Sequence, residues 1–192
     1  MNKSRLEAFS DGVFAIIMTI MVLELKIPKG GHFTDLLPLL PVFLGYVQSF
    51  LFIGNYWTNH HHLVHTVKKV SSGILLSNLF LLFCLSLVPF ATGWVGETEF
   101  EPDAVAVYAV ILILPGIGYT ILLNAIKKTN VWSDTIKEAM DSSSKKGMFS
   151  VLMYAAAIPL AYVNPIWSEI LFLATAVMWI IPSKKIEKTF SE

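Results

Sequence analysis

Residues 9–23 read Phe-Ser-Asp-Gly-Val-Phe-Ala-Ile-Ile-Met-Thr-Ile-Met-Val-Leu, and this stretch decides how the rest of the chain is interpreted. It is an apolar run of helical length, and the carboxylate of Asp11 stands one or two turns below its polar end. A carboxylate inside a membrane helix costs about 2.5–3.5 kcal/mol on insertion scales, so it usually has a partner and a function. The stretch therefore predicts a first transmembrane helix whose acid is satisfied by the rest of its own subunit.

Composition extends this interpretation to the whole chain. Of the 192 residues, 55% are hydrophobic and only 15% are charged, and the mean hydropathy is +0.63. Soluble domains carry about 25% charged residues, so these values indicate a membrane protein. A formal net charge of zero gives no electrostatic footprint for nucleic acid. The chain has neither a phosphate-binding glycine loop followed by lysine nor a plausible Ser/His/Asp site, and we do not expect an enzyme.

Six segments approach the roughly 20 apolar residues that a membrane-spanning helix needs. They cover approximately residues 6–25, 40–67, 73–95, 104–126, 148–163 and 165–181. Only Asn164-Pro165 separates the last two, which predicts a tight helical hairpin. There is no internal repeat. The longest hydrophilic stretch, residues 127–147, is predicted to be a cytoplasmic connection with some helical character, so no soluble domain is expected. The sequence predicts an all-α membrane protein with one six-helix transmembrane domain over residues 1–192.

Lysine and arginine predict the orientation. If the N-terminus is cytoplasmic, the only basic residues outside are Lys26 and Lys29, and the acidic loop at residues 97–103 also lies outside. Cytoplasmic loops of membrane proteins carry the excess of basic residues. We therefore expect a multi-pass protein of the plasma membrane with both termini in the cytoplasm.

The first helix has two faces. At about 100° per residue, Ile16, Ile20 and Leu23 fall within about 60° of one another, and Thr19 lies about 60° to one side of Ile16. Asp11 lies about 140° from Ile16. One face thus carries branched aliphatic side chains and one hydroxyl, whereas the other carries the carboxylate.

Candidate partners for the acid lie on the second and third spans. The second span contains His60, His61, His62 and His65, and we expect one or two of these imidazoles to pair with Asp11 or Ser10. Asn78, near the start of the third span, can both donate and accept in a buried network. His61 and His65 have the i, i+4 spacing of some zinc sites, but successive histidines point in different directions and no acid or cysteine stands beside them, so no metal site is predicted.

The stretch Gly116-Ile117-Gly118-Tyr119-Thr120 has the composition of a potassium-filter sequence in a different order. A carbonyl filter needs Thr-Val-Gly-Tyr-Gly in a loop, whereas this stretch lies within the fourth span. We interpret its glycines as sites of close helix packing.

The string Arg5-x-x-x-Phe9-Ser10-Asp11 at the head of the first helix resembles the signature of the potassium channels of the transmembrane protein 175 family. The resemblance extends to the six-span plan and to three further residues, which are Trp57, His60 and Asn78. Eukaryotic members carry two six-span repeats and form dimers. With one set of six spans, this chain is similar to the bacterial type, which implies a homotetramer.

The resemblance implies roles for individual residues. The first helices of four subunits would line the pore, with Ile16 as the hydrophobic constriction and Thr19 as a hydroxyl layer implicated in selectivity. Ile20 and Leu23 would be further apolar pore positions. The Phe9-Ser10-Asp11 motif would not line the pore; it would bond to His60 or His61 and to Asn78 on the neighbouring spans.

The implied function is passive, potassium-preferring cation conduction through a pore with a hydrophobic gate, with potassium as the permeant ion and no cofactor. Position alone places Glu24 near the outer mouth, where four carboxylates could concentrate cations. The alternative is a proton- or metal-coupled secondary transporter that uses Asp11 and the second-span histidines. A non-conducting membrane scaffold is a third possibility.

Overall fold

The first helix starts at a polar cap. In the computed structural model, which describes residues 2–180, α1 covers Lys3–Ile20. The side chain of Asn2 accepts a hydrogen bond from the amide of Arg5 at 3.1 Å, which satisfies one of the free N–H groups of the first turn. A 3-10 turn, Met21–Glu24, continues the helix.

A single stripe of α1 is buried. Its members recur every three or four residues, the repeat of one helix face, and they are Leu6, Ser10, Phe14, Ile17 and Met21. This stripe packs α1 against α2 and α3. Positions on the opposite side of α1, such as Ile16, Thr19 and Ile20, are consequently exposed.

The remaining helices follow in the order α2 Leu40–His65, α3 Ser72–Ser86, α4 Val88–Glu97, α5 Pro102–Thr129, α6 Asp134–Val163 and α7 Pro165–Ile180. A 3-10 turn, Phe33–Leu39, leads into α2. Among residues 2–180, five stretches are long and apolar enough to cross a membrane. They correspond to the first five of the six predicted spans, and the sixth corresponds to α7, a shorter apolar helix. The prediction of an all-α membrane protein is confirmed.

The third predicted span is two helices. α3 ends at Ser86 and α4 begins at Val88, with Leu87 between them. Pro89 lies in the first turn of α4, where backbone N–H groups have no partner within the helix. The missing N–H of proline therefore costs no helical hydrogen bond at this position. The two helices together still span the length of the predicted segment.

The helix that contains the fifth predicted span, α6, extends beyond the apolar residues 148–163 at its N-terminal end. α6 begins at Asp134, where the Ser133 side chain accepts from the amide of Ile136, and runs without interruption into the predicted span. The sequence predicted a connection with some helical character over residues 127–147, and the structure shows that its part from Asp134 onward belongs to α6. The hairpin between α6 and α7 is confirmed: Asn164 alone separates them, and its side chain accepts from the amide of Ile166 at 3.0 Å.

α5 lies at the centre of the bundle, packed against α3 and α6. It is continuous through residues 116–120, so the interpretation of these residues as part of a helix is confirmed. At Gly118 an added Cβ would stand 3.0 Å from the Cα of Leu81. The glycine therefore lets the backbones of α3 and α5 approach closely, as predicted. Lys184, Lys185, Lys188 and the end of the sixth predicted span at Ile181 lie outside the described residues.

Candidate functional site

The face of α1 opposite its buried stripe is apolar and exposed. The exposed fractions are 58% for Ile16, 42% for Ile20 and 78% for Leu23. These side chains lie together because their spacing of three and four residues returns to the same side of a helix. The structure thus brings the three predicted constriction residues onto one surface that its own subunit does not cover.

Thr19 interrupts this surface with an oxygen. Its hydroxyl donates to the carbonyls of Ala15 at 2.9 Å and Ile16 at 3.0 Å, and the side chain is exposed. Because its only hydrogen is directed back to the helix, the oxygen presents lone pairs to the exterior. An exposed hydroxyl held in this way is an acceptor and therefore suits a cation.

A buried network anchors the other side of α1. Ser10, His60 and Asn78 are 0%, 2% and 1% exposed. Nε2 of His60 lies 2.7 Å from Oδ1 of Asn78, and Nδ2 of Asn78 donates to Oγ of Ser10 at 3.0 Å. Ser10 in turn donates to the carbonyl of Leu6 at 2.9 Å. The network joins α1, α2 and α3 through side chains that water does not reach.

The direction of every hydrogen bond in this network is determined. Ser10 uses its hydrogen on the carbonyl of Leu6, so its oxygen can only accept from Asn78. The amide nitrogen of Asn78 must therefore face Ser10, and its oxygen must face His60. Since that oxygen only accepts, Nε2 of His60 carries the proton.

Asp11 has a different partner from the one predicted. Its Oδ1 accepts a hydrogen bond from the indole Nε1 of Trp57 at 2.9 Å. The expectation that a histidine binds Asp11 is wrong, and the link between His60 and Ser10 is indirect, through Asn78. Asp11 lies at the edge of the buried stripe, where the indole reaches it along the surface of the subunit.

Phe9 does not face the core of its subunit, which departs from the expectation for the Phe9-Ser10-Asp11 motif; its side chain is 51% exposed. Asp11 is exposed as well, but, as predicted, its own subunit satisfies it, here through Trp57. The reason is helical geometry: seven residues separate Phe9 from Ile16, which places them about 20° apart on the helix. Of the three motif residues, only Ser10 belongs to the buried face. Arg5 is exposed on the same side as Ile16.

His61 does not join the network. It is exposed, and its ring centroid lies 6.5 Å from that of Trp57. Successive residues on a helix point about 100° apart, so burial of His60 turns His61 outward. Between residues 2 and 180, no group of three or more His, Cys, Asp or Glu side chains is arranged to hold a metal ion.

A groove of about 870 Å³ separates the exposed face of α1 from α4. Ile16, Ile20 and Glu24 line it on one side, and Phe90 and Trp94 on the other. The carboxylate of Glu24 lies over Gly93, where an added Cβ would stand 2.8 Å from Oε2. The predicted outer-mouth acid is therefore exposed at the end of this groove.

A second acid in this region is already paired. Lys26 lies 2.7 Å from the carboxylate of Glu97, which ties the segment after α1 to the end of α4. Glu97 also lines the groove. Lys26 offsets the charge of Glu97. Glu24 is therefore the groove acid with no ion-pair partner among the residues that the structure describes.

Sequence reasoning missed a polar cluster between α2, α4, α5 and α7. Ser49 lies 2.7 Å from both Thr92 and Tyr108, and all three side chains are buried. Beside them, Gln48 donates to Glu169 at 3.2 Å. Glu169 is an acid within an apolar helix, which is the signal that drew attention to Asp11, and the same argument would have found it.

Comparisons with known proteins complete the description of the site. The family described as "Endosomal/lysosomal potassium channel TMEM175" matches residues 5–89, which contain α1 from Arg5 onward, the network and the groove residues up to Pro89. A potassium channel of Chryseobacterium sp. (strain P1-3) is 48% identical over 192 residues and covers 100% of both chains.

Two further proteins extend the comparison. The crystal structure of a lysosomal potassium-selective channel TMEM175 homologue from Chamaesiphon minutus is similar with a TM-score of 0.78 and 30% identity, and the match covers 93% of this chain and 96% of that one. The endosomal/lysosomal proton channel TMEM175 of Homo sapiens is 30% identical over 133 residues, which are 61% of this chain and 26% of that protein.

Proposed function

This chain belongs to the TMEM175 family, and we propose that it is a potassium-preferring cation channel in which the α1 helices of four identical subunits surround the pore. The relatives are ion channels, not enzymes, and the apolar helices make this a multi-pass membrane protein. Conduction is passive. The pore has a hydrophobic gate on α1 and no carbonyl filter.

The observation that carries the proposal is the exposed face of α1, with Ile16, Thr19, Ile20 and Leu23 turned away from the subunit's core. Four such faces around an axis form a ring of Ile16 side chains, which is too apolar for a hydrated ion. Hydrophobic constrictions of this kind gate by dewetting. The network of Ser10, Asn78 and His60 ties the opposite side of α1 to α2 and α3. Opening therefore moves the four α1 helices apart while each stays attached to its own subunit.

The ends of the pore follow from charge. Basic residues such as Lys3, Lys69 and Lys127 lie near one end of the bundle: Lys3 donates to the carbonyl of His65, and Lys127 is in the last turn of α5. By the positive-inside rule this end, and with it both termini, is cytoplasmic in a plasma membrane. Glu24 lies at the other end of α1. Its unpaired carboxylate, repeated four times, raises the cation concentration at the outer mouth.

The transporter alternative requires Asp11 and the histidines to exchange a proton or hold a metal. Asp11 is hydrogen-bonded to Trp57, and His60 is hydrogen-bonded to Asn78, so the two titratable groups share no hydrogen bond. A proton therefore has no direct hydrogen bond along which to pass between Asp11 and His60. The geometry therefore favours a channel.

The test is potassium flux into liposomes that contain the purified protein. A channel moves potassium down its electrochemical gradient, and the flux is unchanged when a pH gradient is imposed or removed. Because the human relative is named a proton channel, proton flux is measured in parallel with a pH-sensitive dye. Potassium flux that requires an opposing proton gradient would support the transporter, and no flux of either ion would support a scaffold.

Removing the Thr19 hydroxyl is expected to reduce potassium preference. Thr19→Ala replaces an outward-facing acceptor with a methyl group, so an ion that sheds water at this level has fewer oxygens to replace it. We expect the potassium-over-sodium permeability ratio to fall by several-fold, measured as a shift of the bi-ionic reversal potential toward zero. Thr19→Ser keeps the hydroxyl and should retain most of the ratio. An unmoved reversal potential in Thr19→Ala would remove Thr19 from the selectivity mechanism.

A further inference from the structure

A cavity lies within the subunit, away from α1. The cavity has a volume of about 360 Å³ and is formed by α2, α5, α6 and α7. Small-molecule sites typically measure about 300–1,000 Å³. The groove between α1 and α4 is a separate feature, since the two share no lining residue.

The walls of this cavity are aromatic. Phe52, Tyr56, Tyr119, Tyr154 and Trp179 line it. Phe52 and Tyr56 have ring centroids 4.9 Å apart, and Tyr56 and Tyr119 meet edge to face at 6.3 Å. Rings that hold one another in this way form a rigid surface that is ordered before a ligand arrives.

None of the lining residues is ionisable as an acid or a base at neutral pH: the lining set contains no Asp, Glu, Lys, Arg or His. A charged ligand would lose its hydration there without gaining an ion pair, which is costly. The cavity therefore selects an uncharged molecule. The flat aromatic walls favour a ring system over a flexible chain.

Polar side chains also line the cavity: Asn55, Tyr56 and Asn59 on α2, Thr120 on α5, and Ser143, Ser144 and Ser150 on α6. Among the described residues, the hydroxyl of Tyr56 has no hydrogen-bond partner, although the residue lines the cavity. Two neighbouring bonds are long: Asn55 donates to the carbonyl of Ala176 at 3.5 Å, and Tyr119 donates to that of Asn59 at 3.4 Å. A ligand with one hydroxyl or carbonyl group can bond to Tyr56 while its rings contact the aromatic walls.

The cavity opens on the side of α5 and α6. Ile117, Ile121 and Met148 line it and are also 45%, 43% and 64% exposed. These are apolar side chains within membrane-spanning helices, so an apolar molecule reaches the opening from the bilayer. On α2, Asn55, Tyr56 and Asn59 face the cavity, and the same two turns carry Trp57 and His60, which hold α1.

From these observations we propose that the cavity is a binding site for a neutral, mainly apolar ring molecule with a single hydrogen-bonding group, which enters from the lipid. The occupant bonds to the Tyr56 hydroxyl and contacts the turns of α2 that anchor α1. The site is independent of the pore, and the proposal does not depend on the ion that the channel prefers.

The probe is a neutral alkylphenol that carries a diazirine, applied to the protein in liposomes. After illumination, mass spectrometry of peptides locates the adducts. We expect adducts on the cavity-lining parts of α5, α6 and α7, and we expect an excess of the same alkylphenol without the diazirine to abolish them. Tyr56→Phe should weaken this competition about two- to tenfold, as expected for the loss of one hydrogen bond.

Gly147 allows the cavity to be filled. It lines the cavity, and an added Cβ would meet no atom within 4 Å, so Gly147→Leu is expected to remove the labelling. Gly45 has the same open surroundings on α2 but does not line this cavity, and Gly45→Leu should label like the unchanged protein.

Two outcomes would overturn the proposal. One is labelling spread over outer positions such as Ile166 and Leu173 that the competitor does not reduce, which is simple partitioning into lipid. The other is cavity labelling that persists at full strength in a correctly assembled Gly147→Leu protein. If that variant does not assemble, the competition experiment on the unchanged protein decides alone.

Discussion

Replacing Ile16 by asparagine is expected to raise potassium flux by about tenfold or more. In the proposed tetramer, four Ile16 side chains form the apolar ring that excludes hydrated ions, and an amide at each position offers water and cations a hydrogen-bonding surface. A tenfold increase corresponds to a barrier lowered by about 1.4 kcal/mol, which is modest for the removal of four apolar groups. The measurement is potassium-driven flux in liposomes at matched protein content.

A matched control separates the gate from a general effect of polarity. Ile166 on α7 is 64% exposed, close to the 58% of Ile16, so Ile166→Asn introduces the same side chain on another outer surface. Its flux should equal that of the unchanged protein. If Ile16→Asn remained tetrameric and conducted no better than Ile166→Asn, the constriction would have to lie elsewhere on α1.

Replacing Asn78 by leucine is expected to destabilise the fold by about 2–3 kcal/mol. Interhelical hydrogen bonds in membranes contribute on average only about 0.6 kcal/mol each, so the two lost bonds do not account for this value. The larger part comes from His60, whose buried Nε2–H loses its acceptor; an unsatisfied buried donor costs about 1–3 kcal/mol. The measurement is unfolding of the detergent-solubilised protein, followed by circular dichroism.

Asn55 provides the control for Asn78. It is also an asparagine inside the bundle, but it makes one weak side-chain bond, at 3.5 Å, to the carbonyl of Ala176. Asn55→Leu should therefore cost much less. In addition, Ser10→Ala combined with Asn78→Leu should cost less than the sum of the two, since both remove the same bond. Equal losses for Asn78→Leu and Asn55→Leu, or strict additivity with Ser10→Ala, would show that the network does not act as a unit.

Much of the fold could be predicted because the segments of a chain that cross a membrane are apolar and can be recognised by their hydropathy. The run from Phe9 to Leu23 and the hairpin at Asn164-Pro165 were recognised from residue types alone. Hydropathy could not detect the interruption at Leu87, since residues on both sides of it are apolar. Hydropathy also separated the first turns of α6 from the span, although residues 133–140 have some helical character, because a helix that extends beyond the membrane becomes polar without ending.

The candidate site was predicted less completely. Periodicity identified the stripe of Ile16, Ile20 and Leu23, which the structure leaves exposed. It did not identify Trp57 as the partner of Asp11, because the partner depends on how α1 and α2 pack together and not on the periodicity of either helix alone. The polar cluster around Glu169 joins residues far apart in the chain, and no local pattern connects them.

The sequence by itself determined that residues 9–23 form a membrane helix with two chemically different faces. Helical periodicity and the cost of a charge in lipid are local properties, and they require nothing beyond the residues of the helix. Only the tertiary structure decided which motif residue each neighbour binds: Ser10 is held through Asn78 and His60, Asp11 is held by Trp57, and Phe9 is left on the outer face. Side-chain hydrogen bonds act over about 3 Å, so they depend on the rotation of each helix against its neighbours, which packing of the whole subunit determines.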